Sequence, residues 1–120
     1  MNKNKKILTE LNRVEALIKK DFSKEGTISG LYKYIFKSNG KKIRAKLCLV
    51  ASSKTNYKER IKLASVIELL HTATLIHDDV VDNSPTRRGI KSVNNLWTNS
   101  HGVLIGDYIY SKAFIYLVDI

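Results

Sequence analysis

The 120-residue sequence is poor in cysteine, proline and glycine, with one, one and six of them. Its single cysteine, Cys48, excludes a disulfide framework and a cysteine-built zinc site. So little proline and glycine excludes collagen-like or linker character. No stretch reaches the roughly 20 apolar residues that a membrane-spanning helix needs. The N-terminal lysines are not followed by an apolar run, so the start does not read as a secretory signal. A soluble chain in a reducing, cytoplasmic compartment is expected, with enough apolar residues (43%) for a core.

Charge is abundant and unevenly placed. Met1 to Lys62 holds 17 Lys and Arg against 5 Asp and Glu, whereas Leu63 to Ile120 holds 4 against 6. The first half therefore favours an anionic partner (nucleic acid, anionic lipid or a phosphate-bearing ligand) or is simply a set of solvated helix faces.

The apolar spacing is helical throughout, predicting an all-α fold. Ile7, Leu11, Val14 and Ile18 share one face. A break at Ser23–Gly26 follows, with Gly26 suited to a C-terminal stop. Thr27–Lys37 carries Ile28, Leu31, Tyr32, Ile35 and Phe36, and Ser38-Asn39-Gly40 signals a turn. Lys41–Lys54 is expected to bury Ile43, Leu47 and Val50, and Tyr57–Val81 reads as a long helix buried on most sides. Asn83–Gly89 reads as a loop, Val93–Trp97 as a short helical turn and Gly102–Ile120 as a last apolar helix. No period-2 strand pattern is convincing. The chain ends inside that last helical run, which suggests a truncated fold with Tyr108, Phe114 and Leu117 lacking cover.

Chemistry concentrates in the carboxylates. Asp78, Asp79 and Asp82 form D-D-x-x-D at the end of the long helix. Asp78 and Asp82 lie one helical turn apart on one face, about 6 Å along the axis. Negative charge at a helix C-terminus is unfavourable, so a cation is expected there, and all-oxygen ligands suit Mg²⁺ completed by water and substrate phosphate. His71 lies two turns before Asp78 on nearly the same face, whereas His77 faces elsewhere and reads as structural. Two basic turns, Gly40-Lys41-Lys42-Ile43-Arg44 and Arg87-Arg88-Gly89, suit phosphate oxygens. Metal-holding carboxylates with two basic turns describe a site for two phosphate-bearing groups.

Leu69 to Asp82, followed by Arg87-Arg88-Gly89, resembles the first aspartate-rich motif of the trans-type polyprenyl diphosphate synthases. Ser38 to Arg44 is similar to their G-G-K-x-x-R-P segment, with Asn39 for the first glycine and Ala45 for the proline, and Val103 to Tyr108 to their V-L-x-G-D-[FY] run. The resemblance covers about 27–120, making 1–120 a partial domain: the N-terminal helices of an isoprenoid-synthase-type bundle. It implies condensation of isopentenyl diphosphate with an allylic prenyl diphosphate. By position, Asp78 and Asp82 would coordinate Mg²⁺, with Asp79 in support. Arg87 would contact the allylic diphosphate, and Lys41, Arg44, His71 and Arg88 would hold isopentenyl diphosphate. In the family, bulky residues one turn before the first aspartate block the growing chain. Here Ala73 and Thr74 stand there, both small, which implies a long-chain product.

The family also uses a second aspartate-rich cluster and longer chains. After Asp82 only Asp107 and Asp119 are acidic, so the fragment is expected to be inactive alone, needing a C-terminal portion or forming a homo-oligomer. Three other readings stay open. One is a non-catalytic subunit or remnant of such a synthase. Another is a metal-dependent phosphohydrolase of the His-Asp kind, suggested by His77-Asp78 and opposed by the poor facing of His71 and His77. The last is a basic nucleic-acid-binding module, which scattered lysines and the lack of a groove-reading motif argue against, so no nucleic-acid partner is expected.

Overall fold

The computed structural model describes residues 3–20, 22–37 and 42–120. Six helices and one small ribbon follow in chain order: α1 Lys3–Lys19, α2 Gly26–Phe36, α3 Ile43–Ala51, α4 Tyr57–Val81, β1 Thr86–Arg87, β2 Ile90–Lys91, α5 Val93–Leu96 and α6 Asn99–Val118. The turn expected at Ser38-Asn39-Gly40, and Lys41 with it, lie outside the described residues.

The axis of the fold is α4. Its 25 residues span about 37 Å at 1.5 Å per residue. Asn56 starts it, its side chain accepting the Lys58 amide at 2.9 Å. Ala64, Val66, Leu69, Ala73 and Ile76 are buried where α1, α3 and α6 pack around α4. The α1 stripe behaves as its spacing predicts: Val14 and Ile18 are buried, and Ile7 and Leu11 pack against the core.

A buried ion pair joins three helices. Arg60 of α4 forks onto the Glu10 carboxylate of α1, both side chains almost wholly enclosed. Its Nη2 also donates to the Leu49 carbonyl of α3 at 2.8 Å. Removing either partner would strand a charge in the core, so the pair fixes how these helices meet.

Lys112 is the other buried cation. It donates to the Ile18 carbonyl at 2.9 Å and to the Tyr32 hydroxyl at 2.6 Å. It also lies 4.1 Å from the Tyr32 ring centroid and 4.9 Å from that of Phe22, within cation–π range.

Four expectations are corrected. Gly26 opens α2 rather than closing a helix, because Glu25 caps it by accepting the Thr27 and Ile28 amides at 3.0 and 2.7 Å. On α3, Ile43, Leu47 and Val50 are exposed, while Ala45 and Leu49 point inward. The segment has two apolar faces, and the smaller one packs because Arg60 and Glu68 of α4 hold its backbone. The supposed loop after α4 contains a two-stranded antiparallel ribbon, Thr86 opposite Lys91 and Arg87 opposite Ile90. It is too short to carry a readable alternation. On α6, Phe114 and Leu117 are exposed as expected, but Tyr108 is half-buried with its ring 5.9 Å from that of Tyr32.

Two glycines set the distance between α4 and α6. A Cβ on Gly106 would lie 2.2 Å from His77 Nε2, and one on Gly102 would lie 2.6 Å from Val80 Cγ2. Neither side chain of α4 could keep its place beside a larger residue. Among the described residues no helix is long and apolar enough to cross a membrane.

Candidate functional site

The last turns of α4 and the ribbon that follows place the expected charges. Asp78 and Asp82 are both exposed, and the Asp82 amide donates to the Asp78 carbonyl at 2.8 Å as the helix ends. Asp79 points the other way and is only 5% exposed. Arg87 forks onto it, Nε to Oδ2 at 3.1 Å and Nη2 to Oδ1 at 2.6 Å. This fork, helped by the nearby Asp78 charge, holds the Arg87 guanidinium above its usual range. The three aspartates therefore do not converge as one cluster. Among the described residues no group of three His, Cys, Asp or Glu side chains could hold a metal. What remains is a pair of exposed carboxylates one turn apart. That suits Mg²⁺, which keeps several waters and takes substrate phosphates, better than an ion needing a closed protein cage.

The ribbon is made rigid by local bonds. The Ser84 amide donates to the Asp79 carbonyl at 2.9 Å, and Ser92 Oγ and Asn94 Nδ2 donate to the Ser84 carbonyl at 2.7 and 3.0 Å. The Tyr34 hydroxyl of α2 donates to the Lys91 carbonyl at 2.8 Å, and its ring meets Trp97 edge-on at 5.1 Å. At the tip, Arg88 and Gly89 take φ of +55° and +79°. Two successive positive φ values are what a type I′ hairpin turn requires. Gly89 accepts this without strain and Arg88 does not, so an arginine is held in an unfavourable backbone state at the tip of the ribbon.

His71 lies within electrostatic reach of several basic groups. Burial lowers its pKa below the ordinary 6.5; Arg44 lowers it further, as do Arg88 and Arg87, while Glu68 works in the opposite sense. Arg44 from α3, Arg87 and Arg88 from the ribbon and His71 from α4 are thus brought into one electrostatic neighbourhood. Lys41 lies outside the described residues.

Glu68 is a residue that spacing did not single out. Its Oε1 accepts the Ala45 amide at 3.0 Å, so the start of α3 already receives a carboxylate from α4. Lys42 enters that helix at φ +51° and lies 3.8 Å from Glu15. Nothing local in the sequence marks a bond between residues 23 positions apart. Behind Asp79 a cavity of about 120 Å³ lies between α1, α2, α4 and the ribbon, its walls including Tyr34, Leu75, Ile76 and Arg87.

The two small residues before Asp78 have different surroundings. Ala73 is fully buried in the core. Thr74 is exposed, its Oγ1 donating to the Leu70 carbonyl at 2.9 Å and lying 3.0 Å from the Tyr110 hydroxyl of α6. His77 sits between the helices, 3.2 Å from the Val103 carbonyl, 3.4 Å from an Asp107 carboxylate oxygen and with its ring tilted 50° to that of Tyr110 at 5.4 Å. Its place is a helix contact, as expected. Burial pushes the Cys48 thiol up, which suits an unreactive side chain.

Known proteins are similar to this chain in sequence and in fold. Residues 25–120 match the family described as polyprenyl synthetase. The all-trans-nonaprenyl-diphosphate synthase (geranyl-diphosphate specific) of Rhodobacter capsulatus is 45% identical over 101 residues, covering 82% of this chain and 31% of that protein. The octaprenyl diphosphate synthase of Escherichia coli K12 is 43% identical over 89 residues, 72% of this chain and 28% of that one. Among solved structures, a decaprenyl diphosphate synthase from Rhodobacter capsulatus superposes with a TM-score of 0.85 at 36% identity, over 96% of this chain and 37% of its own. A polyprenyl synthase from Caulobacter crescentus CB15, complexed with calcium and isoprenyl diphosphate, superposes at 0.81 and 29% identity, over 97% and 35%. The chain spans about a third of the length of the relatives it matches. With the six helices in the same arrangement and the family match running from residue 25 to the end, the chain belongs to the polyprenyl synthetase family.

Proposed function

We propose that this chain is the diphosphate-binding portion of a prenyltransferase that joins isopentenyl diphosphate to an allylic prenyl diphosphate. The observation that carries the proposal is the exposed carboxylate pair Asp78 and Asp82 at the end of α4, with Arg87 held close by through its fork onto Asp79. The charges of Arg44, Arg87 and Arg88 all act on His71 of the same helix. Among the described residues Glu68, Asp78 and Asp79 are the acids that act on His71 and Arg87, and the cations of Arg44 and Arg88 are left open to anions. Asp78 and Asp82 would hold Mg²⁺, which supplies charge neutralisation to a leaving diphosphate. The Caulobacter relative, solved with calcium and isoprenyl diphosphate, supports a divalent cation beside a prenyl diphosphate.

The side chains then have separate tasks. Arg87, steadied by Asp79, would contact the allylic diphosphate and stabilise charge as the carbon–oxygen bond breaks. Lys41, Arg44, His71 and Arg88 would hold isopentenyl diphosphate. The allylic cation is captured by the neighbouring alkene, so no protein nucleophile is required. Residues 1–120 form a partial domain of an enzyme acting in the cytoplasm, completed by further chain or by a partner subunit.

Relatives named for nonaprenyl, octaprenyl and decaprenyl products support a long-chain product here too. Of the two small residues, Thr74 alone has an exposed side chain, so Thr74→Phe in the assembled enzyme should shorten the product. An unchanged product distribution would remove the assignment. Ala73→Phe is the poorer test, because a fully buried alanine cannot grow without disturbing the core.

The direct test is calorimetry with a diphosphate analogue, with and without Mg²⁺. Binding should be much tighter with the metal, and Asp78→Ala should abolish the difference. Equal binding in EDTA would refute the assignment of the carboxylates.

A further inference from the structure

The basic first half of the chain is not used up by the diphosphate site. Four of its cations line a second, open groove between α1 and the start of α4, about 360 Å³ in volume. Its floor is apolar, made by Ala16 and Leu17 of α1 with Tyr57 and Ile61 of α4. Its rim is Arg13, Lys20, Lys58 and Lys62, and no acidic side chain lines it among the described residues. Arg13, Lys20 and Lys58 are exposed.

Among the described residues the acids near it are paired or do not line it, one of them, Asp119, being paired with the rim's own Lys62. Glu10 is buried against Arg60, Glu15 pairs with Lys19 at 2.6 Å, and Asp119 pairs with Lys62. Glu59 is exposed on α4 but does not line the groove. On α1, Lys6 and Arg13 stand seven residues and about 10 Å apart in one row down the helix, and Lys20 follows directly after the helix ends.

We propose that this groove docks on an anionic lipid membrane. Cations at lipid-phosphate level with apolar side chains between them match the boundary of headgroup and acyl chain. Tyr57, 46% exposed with its ring in the floor, is the type of residue that sits at that boundary. A nucleic-acid strand would be served differently, by several aromatic platforms for successive bases, and the groove has one aromatic ring.

Flotation of the 120-residue chain with phosphatidylcholine vesicles, with and without phosphatidylserine, tests it. Binding should require phosphatidylserine and fall with salt. The triple variant Arg13→Gln, Lys20→Gln, Lys58→Gln should lose roughly 100-fold in partitioning, at about fivefold per cation, with an unchanged unfolding curve. Lys33→Gln, Lys37→Gln, Lys46→Gln removes the same charge from α2 and α3 and should change it little. Tyr57→Trp should be quenched by brominated acyl chains above the background from Trp97. Equal losses from both triples would overturn the proposal, as would indifference to phosphatidylserine or no quenching at position 57. Displacement from the vesicles by random-sequence RNA at the same salt would overturn it too, giving the groove to nucleic acid.

Discussion

Asp79 and Asp78 are neighbours in the chain with opposite surroundings, and the difference separates their tasks. Asp79 is buried and committed to Arg87, whereas Asp78 is exposed beside Asp82. Asp79→Asn keeps the shape but takes the charge from the fork. It should cost about 2 kcal/mol in urea unfolding, less than a fully enclosed pair because Arg87 is partly exposed. Diphosphate binding should weaken but stay Mg²⁺-dependent, whereas Asp78→Asn should lose the metal dependence. Equal loss of metal dependence in both variants would refute the division. His71 offers a second test. Its folded pKa lies below the ordinary 6.5, since burial and then Arg44 disfavour the charged ring. The unfolded chain therefore binds the proton more readily. Stability is unpenalised above pH 6.5 and falls as pH drops through it, and His71→Gln should flatten that slope. A bound diphosphate offsets the arginines, so it should raise the His71 pKa, read by NMR titration of the ring. A fall, or no movement, would place the anion elsewhere. At this scale the sequence showed which residues carry charge and which share a face. It could not show that Asp79 turns inward, because that depends on where a ribbon eight residues later lays Arg87.

Between elements, the contact of α4 with α6 is the one most sensitive to a single methyl group. Gly106→Ala sets a Cβ against the His77 ring, which already meets the Val103 carbonyl and Tyr110 and has little room to move. The cost should be about 2 kcal/mol of overpacking, read as a lower denaturation midpoint. His77→Ala should recover most of it, because the removed ring is the obstacle, making the pair strongly non-additive. Full additivity would mean that something other than this approach is lost. Helices were legible from spacing wherever one apolar stripe dominated: α1 and α4 run as predicted. α3 was legible as a helix but not in its facing. Ile43, Leu47 and Val50 are the larger apolar set, yet they are exposed, because Ala45 and Leu49 are turned inward by bonds from Glu68 and Arg60. Contacts between residues distant in the chain decided that orientation, and no local pattern encodes them. The Gly89 turn was legible as a turn; its strands, two residues each, were too short to leave a period.

At the level of the whole molecule, the proposed function would give these 120 residues one side of a charge-neutralising site. A leaving diphosphate needs cations from more than one direction, since the charge it develops is spread over several oxygens. On the proposed reading Asp78 and Asp82 would bring metal from the end of α4, and Arg87 and Arg88 would act from the ribbon that follows it. After Asp82 the sequence has only Asp107 and Asp119, and these are engaged with His77 and Lys62. No second carboxylate pair faces the first among the described residues. Large apolar side chains are also left in water: Leu104, Phe114, Ile115 and Val118 along α6 are each more than half exposed. A face of that kind favours self-association. The chain by itself should therefore bind diphosphate with Mg²⁺ yet form no prenyl product, and should associate at concentrations where a well-covered domain stays monomeric. Sedimentation reads the association. Radiolabelled isopentenyl diphosphate with farnesyl diphosphate and Mg²⁺, supplied to a monodisperse monomer, reads the chemistry. Steady formation of an extended product by that monomer would mean that one carboxylate pair and two arginines suffice for ionisation, and that the proposed need for a second side of the site is wrong.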